Sequence, residues 1–428
     1  MYGSVRDAAS GGCRTGRIAA CAARYRRHPS AVMPFAMRPA RLLLSALLLL
    51  SSSLQAADDA PLYLVDRGNL ATHASLLTPG QQALIAALPD SFRMPVHAAS
   101  GGPPASTGPH AGGTARLAEE GELLDYGGGL PFPNLDDRDP DGGLKAIWNH
   151  RLRWRGGGRR RATVQAVVSA DGDLSLIYEH EYSRFPGRPS PLLAQQLFGI
   201  AEPARLAGAV KLLHERLSGP PLAWQRSPGA GLPSFRETTE AGGDTAVIGA
   251  DDLCNEDQRE GFSGSPERWR WKLVGRGVRL MPWAADRFHA HDRAPARLLG
   301  PRHPDLALLR YEPRRVIQLE ATLKPGRSGP WPRRHYYLDE ATWQVLLVEL
   351  HGRDDRLQRV QEIHPRMLGD MLLAAVDVIH DLPGRRYRVG GLETRADATE
   401  LVAPDAEDFA PGRGARWAKS VGAVPARK

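Results

Sequence analysis

Gly261-Phe262-Ser263-Gly264-Ser265 stands one residue short of a nucleophile elbow. The elbow needs glycine at its fifth position, where strand and helix pack closely around a strained turn. Here Ser265 fills that position and Pro266 follows, so the segment reads as a loop and no catalytic residue is assigned. His289-Ala290-His291-Asp292 offers three potential metal ligands, and a two-residue histidine spacing can clasp a metal from one strand. No second cluster stands at a recognised ligand spacing, so the segment reads as polar surface and neither a metal nor a cofactor is expected. His214-Glu215 and His380-Asp381 read as solvated pairs.

Trp148-Asn149-His150 is a stronger candidate, because it ends an otherwise apolar helix face with polar groups. One reading is a helix end bonded to an adjacent loop; the other is a polar group at a cavity mouth. Nine tryptophans are spread through the chain: Trp148, Trp154, Trp224, Trp269, Trp271, Trp283, Trp331, Trp343 and Trp417. Large rings with one polar N–H suit either a core or an apolar pocket. The residues expected to line a ligand site are Trp148, His150, Trp154, Trp271 and Tyr178, with Trp148 at the rim. Arg155, Arg159, Arg160 and Arg161 follow a glycine run and read as a solvated hairpin start, or as a contact for anionic head groups.

The elements that must position these residues are mostly strands. Val164, Ala166 and Val168 alternate with polar residues, Ala170-Asp171-Gly172 turns the chain, and Leu174, Leu176 and Tyr178 alternate again. The same period recurs at Ile317–Leu323 and at Leu346, Val348 and Leu350, and Leu382-Pro383-Gly384-Arg385 turns into Tyr387–Val389. Helices are expected over 79–88, capped by Thr78 with Pro79 at its first position, over 143–152, and over 190–200. Residues 205–217 fit a helix face and a strand face almost equally. The fold class is therefore mainly β with α: a large curved antiparallel sheet, or half-barrel, with a few helices closing its concave face. One face of that sheet is expected to collect Leu174, Leu176, Tyr178, Ile317, Leu319, Leu346 and Val348 around a residual pocket.

The first residues read as an address. From Met37, Arg38 and Arg41 precede the apolar run Leu42–Leu50, then small residues up to Ala56-Ala57, the order of a secretory signal peptide. The run is far short of the ~20 apolar residues that a spanning helix needs. Residues 1–36 read as an upstream extension, 37–56 as the signal peptide, 57–115 as an irregular and helical segment, 116–412 as the sheet domain and 413–428 as a tail. Of the cysteines, Cys13 and Cys21 precede the cleavage region, leaving Cys254 with no internal partner. No cysteine follows the apolar run, so no lipid attachment is expected, and a soluble periplasmic location is.

The formal charge of +8 comes largely from the same region. Residues 1–56 hold eight arginines and one aspartate; taking these from totals of 56 basic and 48 acidic residues leaves 48 and 47. A near-neutral remainder argues against nucleic acid, whose binding depends on phosphate neutralisation.

Four segments together carry a family likeness. They are Tyr126–Pro133 with Gly143-Leu144-Lys145-Ala146-Ile147-Trp148-Asn149-His150, Gly264–Gly275, Pro313–Ala321, and Tyr337–Gln344. In that order, behind a signal-like start, the chain resembles the domain-of-unknown-function family 1329 of Gram-negative bacteria, also called outer-membrane lipoprotein-sorting proteins. The likeness runs from about Thr78 to Pro411. It implies the half-barrel of periplasmic lipoprotein carriers and acceptors, with an apolar cavity under helices, and it favours a strand at 205–217. It implies traffic of a lipid or other hydrophobic ligand, and partners among outer-membrane β-barrels and inner-membrane exporters. It supplies no catalytic residues. The chain departs from the family at Phe262-Ser263-Gly264, where Phe-Asn-Gly is usual. The expected function is a periplasmic carrier that transfers a lipid, acyl chain or lipoprotein acyl group without covalent chemistry. The rival readings are an accessory subunit that docks on an outer-membrane barrel or exporter, and a hydrolase of hydrophobic esters.

Overall fold

The computed structural model describes residues 60–100, 115–187, 190–228, 236–238, 243–289, 293–393, 399–413 and 417. The predicted signal peptide, Cys13, Cys21, His291 and Asp292 lie outside the described residues.

The strands in chain order are β1 (Tyr63–Val65), β2 (Met94–Val96), β3 (Arg116–Leu117), β4 (Leu123–Leu124), β5 (Gly158–Val168), β6 (Leu174–Arg184), β7 (Leu192–Glu202), β8 (Val210–Arg216) and β9 (Leu222–Arg226). They continue with β10 (Arg236–Thr238), β11 (Trp269–Pro282), β12 (Tyr311–Leu323), β13 (Arg333–Asp339), β14 (Val345–His351), β15 (Leu357–Leu368), β16 (Met371–Asp381), β17 (Arg386–Leu392) and β18 (Glu400–Leu401). The α-helices are α1 (Leu70–His73), α2 (Pro79–Ala87), α3 (Gly142–Leu152) and α4 (Asp286–His289).

Two antiparallel meanders build one sheet. β5 to β10 form the first, β11 to β17 the second, and β17 pairs with β5 to join them. β1 and β2 extend the far end through a single parallel bridge, Tyr311 opposite Val96. The path ends at β1 and β10, so the sheet is open, and register shifts in β6, β7, β11, β14 and β15 add local twist and curvature. This is the mainly β architecture that the alternating pattern predicts.

Local sequence explains the connections. Thr78 and Gln81 form a reciprocal capping box with Pro79 in the first turn of α2. In the β13–β14 turn, the Thr342 N–H and hydroxyl both donate to Asp339 Oδ1 at 2.9 Å. Residues 205–217 resolve into a turn and β8. The helix expected over 190–200 is a strand, β7: Leu, Ala and Gln favour a helix, but ladders to β6 and β8 on both sides outweigh that weak preference.

Residues directly opposite in a ladder share a face. Leu319, Tyr336, Val348, Gln361, Ile379, Arg388, Val167 and Ser175 are successive partners across one face. Gln318, Tyr337, Leu347, Glu362, Val378, Val389, Ala166 and Leu176 run across the other. The expected single apolar face is thereby corrected. Ile317, Leu319 and Val348 lie on the first face, whereas Leu174, Leu176 and Tyr178 lie on the second. Leu346, the extra residue at a register shift, packs with Leu347 on that second side. Period-two alternation gives two sides of each strand but not which side faces which layer.

Both faces are covered. On the second, Leu84 and Ile85 of α2 and Phe288 of α4 join Val378, Val389 and Ala166 in the largest core. On the first, Ala146 and Ile147 of α3 pack with Phe262, Trp271, Ile317 and Leu319. Farther along the first face, residues 244–262 lie over the sheet, with Val247, Ala250 and Cys254 against Ile379.

Candidate functional site

Helix α3 brings together two of the expected residues, Trp148 and His150, with Asn149 between them. Trp148 has no exposed surface; its indole N–H donates to the Gly121 carbonyl at 3.0 Å, and its ring packs with Leu123 and Leu193. The rim position expected for Trp148 is therefore corrected: the ring is inside the packed layer. Asn149 donates through Nδ2 to the Phe132 carbonyl at 2.6 Å and accepts the Phe132 N–H on Oδ1 at 2.9 Å. His150 is also fully buried. Its Nδ1 lies 2.9 Å from the Trp343 carbonyl and accepts from the Val345 N–H at 3.3 Å, and its Nε2 lies 3.1 Å from the Phe262 carbonyl. Burial and the charge of Arg153 hold His150 well below the usual histidine range. Consecutive side chains on one helix thus fasten loops near residues 121, 132, 262 and 343.

Trp271 joins this layer, donating its indole N–H to the Pro266 carbonyl at 2.9 Å and meeting Phe262 edge-on. The other two expected residues stand apart. Trp154 is half-buried and its indole N–H has no hydrogen-bond partner. Tyr178 is exposed on the opposite face of β6 from the buried Ile177.

Ser263 lies in an irregular stretch between two 3-10 turns, Glu256–Gly261 and Pro266–Arg268. Its hydroxyl donates to the Glu256 carbonyl at 2.7 Å, so the loop reading is what the structure shows. Neither solvated pair is solvated: Glu215 is buried against Arg151 at 3.2 Å, and His380 is buried among core groups.

The sequence missed a buried charge network on the first face of β5 to β8. Arg159 lies 2.8 Å from Glu181 and 2.7 Å from Glu260; Arg153 also pairs with Glu260, and Arg155 lies 3.7 Å from it. Arg161 pairs with Glu393 at 2.9 Å, Lys211 with Glu256 at 2.5 Å and Arg388 with Asp377 at 2.5 Å. Burial alone would raise the pKa of Glu260, but Arg159, Arg153 and Arg155 pull it well below the usual carboxylate range. The basic cluster read as a solvated hairpin start is thus internal, apart from Arg160, which points out over the Tyr182 ring. The signal was available as alternation: Arg159, Arg161 and Thr163 share the strand face opposite Val164, Ala166 and Val168.

Two cavities adjoin this half of the sheet. One, of about 80 Å³, lies among Arg159, Arg161, Glu179, Glu181, Asp377 and Arg388 and is lined mainly by charge. The other, of about 490 Å³, opens where the β5–β6 hairpin meets the Arg205–Leu206 turn and the 249–251 loop. Its wall is amphipathic: Val167, Leu174 and Leu206 alternate with Ser169, Ser175, Asp173, Arg205 and Asp251. Gly249 sets its floor. It has φ +76°, and a Cβ there would stand 3.0 Å from Ile177 Cγ1, so a side chain would push this loop off β6.

The family model described as "Protein of unknown function (DUF1329)" matches residues 64–413. The chain belongs to this family. A relative, an uncharacterized protein of Pseudomonas aeruginosa, is 32% identical over 359 residues, 79% of this chain and 77% of the relative. Among solved structures, a DUF1329 family protein from Desulfovibrio piger is similar with a TM-score of 0.46 at 11% identity, over 63% of this chain and 96% of that one. A putative outer membrane lipoprotein-sorting protein domain from Vibrio parahaemolyticus is similar with a TM-score of 0.45 at 14% identity, over 65% of this chain and 100% of that one. For this DUF1329 chain, the family segments find a structural account: Trp148-Asn149-His150 fastens loops, and Tyr337–Gln344 forms the turn to which His150 is tied.

Proposed function

We propose that this chain is a binding protein of the bacterial envelope that holds an amphiphilic ligand, a lipid or an acylated segment, and passes it on without covalent chemistry. The observation that carries this reading is the amphipathic cavity of about 490 Å³ at the β5–β6 hairpin, within the ~300–1,000 Å³ range of small-ligand sites. Apolar burial at roughly 0.8 kcal/mol per CH₂ favours capture there. Release then calls for a partner or a moving wall that weakens the bound state. The signal-like start at Met37 supports export to the periplasm. Native mass spectrometry of the exported protein, followed by lipid extraction, tests the reading. A bound amphiphile, displaced in a Leu206→Arg variant, is expected; a ligand-free protein that takes up no amphiphile in vitro would overturn it.

The burial of Trp148 favours a second reading, a subunit that docks on an outer-membrane β-barrel or inner-membrane exporter, because the layer beneath α3 is solid rather than hollow. Co-purification with such a partner in the absence of bound lipid would put this reading first.

A further inference from the structure

We infer that the hairpin cavity selects a zwitterionic amphiphile, one whose head carries an ammonium and a phosphate beside an apolar tail. This rests on the reading of that cavity as the ligand site and adds the chemistry of the head group. Three charged side chains line the cavity. Asp251 is already engaged, 3.0 Å from Arg386. Among the described residues, Asp173 and Arg205 have no side-chain ion pair or hydrogen bond, and they do not pair with each other. Asp173 and Arg205 thus leave one charge of each sign free on the lining of one cavity.

The geometry suits two complementary charges on one ligand. Arg205 offers a planar fork of N–H donors that matches a phosphate, and Asp173 offers an acceptor-only carboxylate that matches an ammonium. Val167, Leu174 and Leu206 line the same space and would take the first part of a tail. An amphiphile bearing only an anion would satisfy Arg205 and leave its charge facing Asp173. One bearing only a cation would do the reverse. Both charged side chains are exposed, whereas Val167 is buried and Leu206 half-buried, which sets the head toward solvent and the tail inward.

The test uses the mature protein and water-soluble short-chain lipids: dihexanoyl phosphatidylethanolamine, dihexanoyl phosphatidylglycerol, and tail-free glycerophosphoethanolamine, each titrated by calorimetry. The ethanolamine lipid should bind at one per chain and at least about tenfold more tightly than either other probe, the scale of one charge-assisted hydrogen bond. Arg205→Glu should weaken it by about tenfold or more. Asp173→Asn should remove the preference, so that the glycerol lipid binds as well as the ethanolamine lipid. The double swap Asp173→Arg with Arg205→Asp should restore part of the lost affinity, since it returns one charge of each sign to the wall. Both positions are exposed, and unchanged circular dichroism checks that the variants fold. Equal affinity for the two lipids in the wild type, or indifference to both substitutions, would overturn head-group selection while leaving an amphiphile site in place. Equal binding of the tail-free probe would also overturn it, by making the site one for a free zwitterion. Failure of every lipid to bind would remove the cavity reading itself, and this inference with it.

Discussion

Asn149 holds Phe132 by both of its backbone groups, accepting the N–H at 2.9 Å and donating to the carbonyl at 2.6 Å. An amide side chain is the natural group for this, because it presents a donor and an acceptor side by side. Replacement by Leu strands two polar backbone groups at a largely buried position, at about 1–3 kcal/mol each. Asn149→Leu should therefore lower unfolding stability by several kcal/mol, and Asn149→Gln, which keeps both the donor and the acceptor, by less. Urea denaturation of the two variants checks the ranking; equal losses would show that the contact is incidental.

Glu260 is the shared partner of Arg153, Arg155 and Arg159. Removing a buried partner leaves the remaining charges uncompensated, at a cost of about 3–5 kcal/mol. Glu260→Gln should be destabilising to that extent, while Glu119→Gln, an exposed acid with no ion pair among the described residues, should be neutral. Thermal unfolding compares the pair.

Gly143 lies at the start of α3 against the edge strand β11. A Cβ there would stand 2.7 Å from the Lys272 backbone carbonyl carbon and 2.8 Å from its nitrogen. In an open helix, Gly→Ala gains about 1 kcal/mol. Gly143→Ala should reverse that sign, because neither backbone can yield without shifting α3 and the residues it fastens. Gly127→Ala, with nothing near its Cβ, serves as the control. A stabilised Gly143→Ala protein would contradict the close approach.

Glu362 is buried on the second face. Its Oε2 accepts from the Tyr311 hydroxyl at 2.8 Å, and its Oε1 has no partner. Burial pushes its pKa up to about 7, only partly offset by that hydrogen bond. The folded protein then holds this proton more tightly than the unfolded chain. Stability from this group is full below pH ~4.3 and falls as pH rises to about 7, by roughly 3 kcal/mol. His364, whose Nε2 lies 4.0 Å from the Glu362 carboxylate, acts in the opposite sense. Burial pushes it down to about 3, so its cost grows as pH falls below ~6.5. Glu362→Gln should remove the opposing contribution of Glu362, so that stability rises more steeply with pH between about 5 and 7 than in the wild type, while the acid limb stays intact. Urea midpoints across that range check this; an unchanged slope would refute it.

Ser263 donates only to the Glu256 carbonyl among the described residues. Ser263→Ala should leave ligand binding unchanged and cost about 1 kcal/mol of stability, the net worth of one hydrogen bond. Loss of a hydrolytic activity in a folded variant would restore the enzyme reading.

Much of this fold is written locally. The Thr78-Pro79 start of α2, the Ala170-Asp171-Gly172 turn, the Leu382–Arg385 turn and the alternation along β5 and β12 each depend on residues within one turn or strand of one another, and neighbouring residues report them. The family segments are legible for the same reason, being contiguous. What the sequence by itself could not decide is anything that depends on which surfaces meet. Residues 190–200 carry helix-favouring side chains, and only ladders to β6 and β8 make them a strand. Leu176 and Leu319 look equivalent in alternation, yet register places them on opposite faces, because a two-residue period is blind to which layer lies above. Trp148 looks like a rim residue until Gly121, Leu123 and Leu193 close over it. Arg159 and Arg161 look solvated until Glu181, Glu260 and Glu393, distant in sequence, supply their counter-charges. Burial and charge pairing are properties of contacts between segments, so only the tertiary structure sets them.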